Sequence, residues 1–112
     1  MAVYVSNLTI NTGTTFSQIF TLESADTNSA TDLTGFTANA QMRKHPDAIA
    51  FTNFSTSIIN ASAGKIRVGL TTSQTAALKP GRHVYDVLIT DTSGEVTRVL
   101  EGNVLVRQGV TR

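Results

Sequence analysis

Apolar and polar residues alternate with period two along nearly the whole chain, and that habit constrains the fold more than any other feature. In "GFTANAQMR", residues 35–43, Phe36, Ala38, Ala40 and Met42 fall on one side, and Thr37, Asn39, Gln41 and Arg43 on the other. Successive side chains of a strand point to opposite faces, so this spelling describes a ribbon with one oily and one wet face. The same parity gathers Leu8 with Ile10, Phe16 with Phe20 and Leu22, and Ile66 with Val68 and Leu70. Further on it gathers Tyr85 with Val87 and Ile89, then Leu100 with Gly102, Val104 and Val106. Gln18 is the odd member of the Phe16 row. Gly102 in mid-strand implies a bulge or a close backbone approach.

Turn chemistry cuts the ribbon into short pieces. Asp91-Thr92-Ser93-Gly94 supplies hairpin residues, Pro46 in "KHPDA" cannot donate to a ladder, and residues 24–32 are a run of Ser, Thr, Asn and Asp. One stretch departs from strand code: "TTSQTAALKPG", residues 71–81. Thr71 or Thr72 can cap a helical turn that Pro80-Gly81 then ends. We expect this turn to carry the chain around one end of the fold and to bury Leu78 as a plug, so that Leu78→Ala costs about 2–5 kcal/mol. Strands at this spacing, with no long helix, predict an all-β, antiparallel sandwich of seven to eight strands with one short helical turn near residues 72–78.

Composition narrows what such a domain could do. The 112 residues suit one domain, spanning 1–112, with a core of its own. There is no Cys, so disulfides, thiol catalysis and Cys-based zinc sites are excluded. Nine Lys+Arg against eight Asp+Glu give a net charge of +1, and the basic residues are scattered, which argues against a nucleic-acid partner. No apolar run reaches the ~20 residues of a membrane helix, and "MAVYVSNLTI" lacks the basic and apolar regions of a secretion signal. Thr is the most conspicuous excess, with 18 copies beside 9 Ser and 7 Asn, and it suits solvent-facing strand positions. The Asn-X-Ser/Thr triplets at Asn7, Asn53 and Asn60 are what that composition yields by chance, and are read as such.

No constellation in the sequence points to catalysis. His45 beside Pro46 and His83 beside the corner are far apart, His83 is placed at the wet end of a strand, and no Gly-X-Ser-X-Gly element is present. Asp26, Asn28 and Asp32 resemble the start of a calcium loop, but Thr31 and Thr37 stand where such a loop needs Gly and Glu. Lys79, Arg82 and His83 form a small basic cluster read as a charged, solvated turn. Tyr4, Phe51 and Phe54 are the aromatic candidates for a sugar surface, and they lie close to inward positions. Catalytic, cofactor-binding and metal residues are therefore all expected to be none, and a small-molecule ligand is not expected.

"LKPGRHVYDV", residues 78–87, resembles the Leu-X-Pro-Gly corner of fibronectin type III domains, with Val84 where the ring belongs and Tyr85 one place late. Three further stretches carry a broader likeness: "DLTGFTANAQMRK" (32–44), "GKIRVGLTTSQTAALKPGRHVYDVLITDTSGEVTRVLEGNVLV" (64–106) and the closing "GVTR" (109–112). In that order they resemble small structural proteins of tailed-bacteriophage virions, the Ig-like tail, baseplate or capsid-decoration modules. The resemblance implies an Ig-like β-sandwich, no active site, location in the virion, and other virion proteins or further copies of the same chain as partners. "AVYVSNLTI" or "NVLVRQGVTR" is the segment expected to pair with another copy or with a scaffold protein. The alternative is a carbohydrate- or protein-binding module for host-surface attachment, using the loops at 24–32, 44–53 and 91–95.

Overall fold

A computed structural model describes residues 4–22 and 32–110. They form a mostly-β domain with one short helical turn: β1 (Tyr4–Val5), β2 (Leu8–Asn11), β3 (Phe16–Thr21), β4 (Thr37–Arg43), β5 (Thr52–Asn53), β6 (Ser55–Asn60), β7 (Lys65–Leu70), α1 (Thr72–Ala76), β8 (Gly81–Thr90) and β9 (Val96–Arg107). Two sheets enclose the core. One runs β1-β9-β8-β4-β5 with β2 also on β9, and the other runs β3-β7-β6.

The larger sheet is mixed and curled into a half-barrel, which corrects the expected all-antiparallel arrangement. Both β1 and β2 lie parallel to β9, Tyr4 opposite Leu100 and Leu8 opposite Val104, in one continuous register. Parallel neighbours need no local connection, and period two is blind to strand direction, so the alternation could not reveal this pairing. The curl comes from the far side, where the chain leaves β5 for β6. There the Phe54 N–H donates to the Ala40 carbonyl at 3.0 Å and the Thr56 hydroxyl to the Ala38 carbonyl at 2.7 Å.

The inward rows meet between the sheets as their parity requires. Ile10, Ile66, Val68, Val87 and Val104 are fully enclosed. Phe16, Phe54 and Tyr85 form a chain of tilted and edge-on rings with centroids 6.1 and 6.2 Å apart. Gln18 shares the Phe16 row but lies open at the sheet edge. The bulge sits at Val99: Val87 faces Leu100 and Leu88 faces Arg98, which turns both Val99 and Leu100 inward. Gly102 keeps regular pairing with Tyr85 and serves the other purpose glycine can have, since a Cβ there would stand 2.1 Å from the Ser6 carbonyl oxygen.

At the corner, Thr71 is the N-cap, its hydroxyl accepting from the Gln74 N–H while the Gln74 side chain accepts from the Thr71 N–H. The plug is Thr75, not Leu78. Thr75 is wholly buried, and its hydroxyl reaches the Thr14 carbonyl at 2.7 Å, tying the β2–β3 turn to the helix. The helix ends at Ala76, so Leu78 falls past it, half-buried against the core, and truncating it should cost less than the full-burial figure.

Candidate functional site

The outer face of the six-stranded sheet holds an open depression of about 610 Å³. Alternation sends Val84, Asp86 and Leu88 of β8 to this face while Tyr85, Val87 and Ile89 go to the core. Val5 and Leu88 supply apolar lining. Arg98 reaches Asp86 at 3.3 Å and Glu101 at 3.8 Å, so both carboxylates already have a cationic partner. Asp86 and Glu101 are neighbours because β8 and β9 place them opposite one another.

Arg43 organises the rim. Its guanidinium donates to the Ala48 and Ile49 carbonyls and to the Gln41 side chain, and lies 4.8 Å from the centroid of the Phe51 ring. One residue at the end of β4 thereby fixes the loop 44–51 beside the depression, with Ile49 and Phe51 exposed on it. Sequence reasoning gave Arg43 only a wet strand position. A cation followed by an aromatic-bearing loop was the available signal, too common to single out.

The residues weighed in the sequence are not brought together. His45 is exposed in the 44–51 loop, whereas His83 is buried on the core side of β8, which corrects its placement at a wet strand end. Its Nε2 lies 2.9 Å from the Lys79 carbonyl; a carbonyl can only accept, so Nε2 carries the proton and is not a free base. That bond is local to the corner, four residues back along the chain. The basic cluster accordingly loses His83, while the Lys44 ammonium comes close to Gly81. Phe54 is buried in the core and Phe51 is half-exposed; the Tyr4 side chain lies outside the described residues.

Asp26 and Asn28 also lie outside the described residues, and Asp32 is engaged locally, accepting from the Thr34 N–H and hydroxyl. Those bonds hold its carboxyl below the ordinary value of 3.8. The Ser93 hydroxyl does the same for Asp91, aided by the Glu95 and Ser93 N–H groups. The three Asn of the Asn-X-Ser/Thr triplets hold backbone or neighbours: Asn7 accepts from the Asn103 N–H, Asn53 from Gln41, and Asn60 from Ser62 and Ala63. Among the described residues, no three His, Cys, Asp or Glu gather in a metal-binding group, and no helix is long and apolar enough to cross a membrane.

The proposed contact loops do not converge. The 91–95 turn sits beside Gly35, at the end of the fold where Leu33 bonds to Ala61. The 44–51 loop lies at the opposite end, next to Gly81. Most of 24–32 is outside the described residues. The C-terminal segment expected to pair with another copy is unavailable over β9, which has β8 on one side and β1 and β2 on the other. Neither protein-family models nor curated protein sequences gave a match to this chain.

Proposed function

We propose that this protein is a non-enzymatic structural component of a tailed-phage virion, an Ig-like module present in multiple copies on the tail, baseplate or capsid surface. The observation that carries this reading is the strand order. With β3, β7 and β6 as one layer and β1/β2, β9, β8, β4 and β5 as the other, two sheets enclose one core. We read this order as a variant of an Ig-like sandwich in which the first strands lie beside the last, and it is what supports the proposal. The carboxylates of the depression on the outer sheet face pair with Arg98, and Nε2 of His83 with a carbonyl, which suits a role for these groups in rigidity and surface shape. Rigid strand-rich parts of this kind act by surface complementarity and by lending edges to neighbouring sheets. The test is mass spectrometry and immuno-gold microscopy of purified particles from the phage that encodes the chain. Stoichiometric copies at a symmetric position support the assignment, and their absence ends it.

A second reading has one specific observation behind it. Phe51, half-exposed and stacked on Arg43 at the rim of the depression, is a suitable platform for a sugar ring or a peptide. Glycan-array binding abolished by Phe51→Ala would favour a host-attachment module.

A further inference from the structure

The four strand boundaries of the two sheets differ in how they are finished. On the six-stranded sheet, β5 is two residues long and the chain beyond it is bonded back to Ala38 and Ala40. The β1–β2 side is interrupted at Ser6–Asn7. On the three-stranded sheet, β6 has a register shift between Ile58 and Asn60 and is held toward β4 by Thr56. Among the described residues, only β3, "FSQIFT", is an uninterrupted six-residue edge with no charge, Pro or Gly, and it carries an exposed Ile19. Natural edges are normally blunted by such devices, and among the described residues β3 carries none of them.

We propose that β3 is the assembly edge and that its occupant is β3 of a second copy of this chain, paired antiparallel about a two-fold axis at Ile19. This rests on the multi-copy reading above and names its contact. The Leu22 N–H points to the Gly64 carbonyl at 2.8 Å on the β7 side. Antiparallel alternation therefore turns the N–H and C=O groups of Ser17, Ile19 and Thr21 to the open side. A two-fold at Ile19 sets Ile19 against Ile19 and Ser17 against Thr21, each as a hydrogen-bonded pair, with side chains on a common face.

Charge permits this arrangement. The nearest cations, Lys65 and Arg67, sit one strand back on β7, and Arg67 is held by the Ser17 hydroxyl at 2.8 Å. Because Arg67 reaches over β3 to Ser17, its separation from the same group of the second copy is set by the two Ser17 positions, four residues apart along the paired edge or roughly 14 Å, beyond the ~8 Å over which exposed charges act at physiological salt. A single six-residue edge buries less than the ~1,200 Å² of a stable complex, so the contact is weak in solution and gains strength when repeated in an array.

Two measurements test the pairing. Sedimentation of the full chain, over a concentration series reaching the ~1 mM range of weak association, should show a reversible monomer–dimer equilibrium that Ile19→Lys abolishes without lowering the melting temperature. Because the chain lacks Cys, single-cysteine variants are clean reporters. Opposed Cα atoms of a hydrogen-bonded pair lie about 5.5 Å apart, within disulfide reach. Ile19→Cys should cross-link to itself under mild oxidation, and Ile59→Cys on β6 should not. A wild-type chain monomeric throughout, or equal cross-linking at both positions, overturns the proposal. Monomers from a chain found in particles would sink the β3 contact alone, whereas a β3 dimer absent from particles would sink the virion assignment alone.

Discussion

The two sheets share one core but are finished differently. Along the six-stranded sheet, polar groups are stationed where pairing is irregular: the Tyr85 hydroxyl donates to the Ser6 carbonyl at 2.6 Å, and Asn7 accepts from the Asn103 N–H at 3.1 Å. Along the three-stranded sheet, the outer backbone edge of β3 has no strand beside it among the described residues. An unpaired buried carbonyl costs free energy, and the Tyr85 hydroxyl supplies the part-buried Ser6 carbonyl with its donor. One sheet is thus finished by side chains, and the β3 edge of the other is the place proposed to take a neighbour.

Gly102→Ala should break this contrast most severely. The new Cβ would meet the Ser6 carbonyl at 2.1 Å, backbone against backbone, forcing β1 off β9. A loss of about 3 kcal/mol in chemical denaturation is expected, and a near-neutral result would show that the N-terminal strand is not seated as described.

Tyr85→Phe should cost less, about 2 kcal/mol, by leaving the Ser6 carbonyl without its donor. It also carries a pH signature. Burial pushes the Tyr85 phenol above its ordinary 10.0, so its contribution is complete below pH 10.0 and is lost as pH rises through the higher folded value. Alkaline melting curves of the variant should therefore be flatter than those of the wild type, and parallel curves would contradict the assignment.

Thr75→Val keeps the shape of the helix plug but removes the bond to the Thr14 carbonyl, for an expected loss of about 1–2 kcal/mol. Leu78→Ala serves as its comparison. A larger loss at Leu78 than at Thr75 would restore the leucine-plug reading of the corner.

The smallest effect belongs to the β8–β9 turn. Hydrogen bonds hold Asp91 below 3.8, so its stabilising contribution is complete above that pH and disappears as pH falls through the lower folded value. The difference in melting temperature between wild type and Asp91→Asn should shrink to nothing in acid. A difference that persists there would mean the Asp91 carboxylate charge is not what holds the turn.

Much of this architecture could be read in the residues. Leu8, Ile10, Met42, Ile66, Val68, Val87 and Val104 were assigned to the core by parity alone, and they are buried. Thr71 or Thr72 with Pro80-Gly81 marked the helical corner, and Gly102 a bulge or a close approach; the structure makes Thr71 the cap and Gly102 the close approach. The surface was less readable. Arg43 gains its role from Phe51 and Ala48, which a bent loop returns to it, and His83 differs from an exposed strand-end histidine only through the turn that brings the Lys79 carbonyl over it.

By itself, the sequence determined which residues lie on the inner rows, where the strands break and that one helical turn interrupts them, because these follow from side-chain alternation and local dihedral preference. Tertiary structure alone decided that β1 and β2 run parallel to β9, that Thr75 fills the corner and that β3 is left open among the described residues. Those outcomes depend on which strands become neighbours across the whole chain, and a strand's pattern of oily and wet residues is the same whichever partner it meets and whichever way that partner runs.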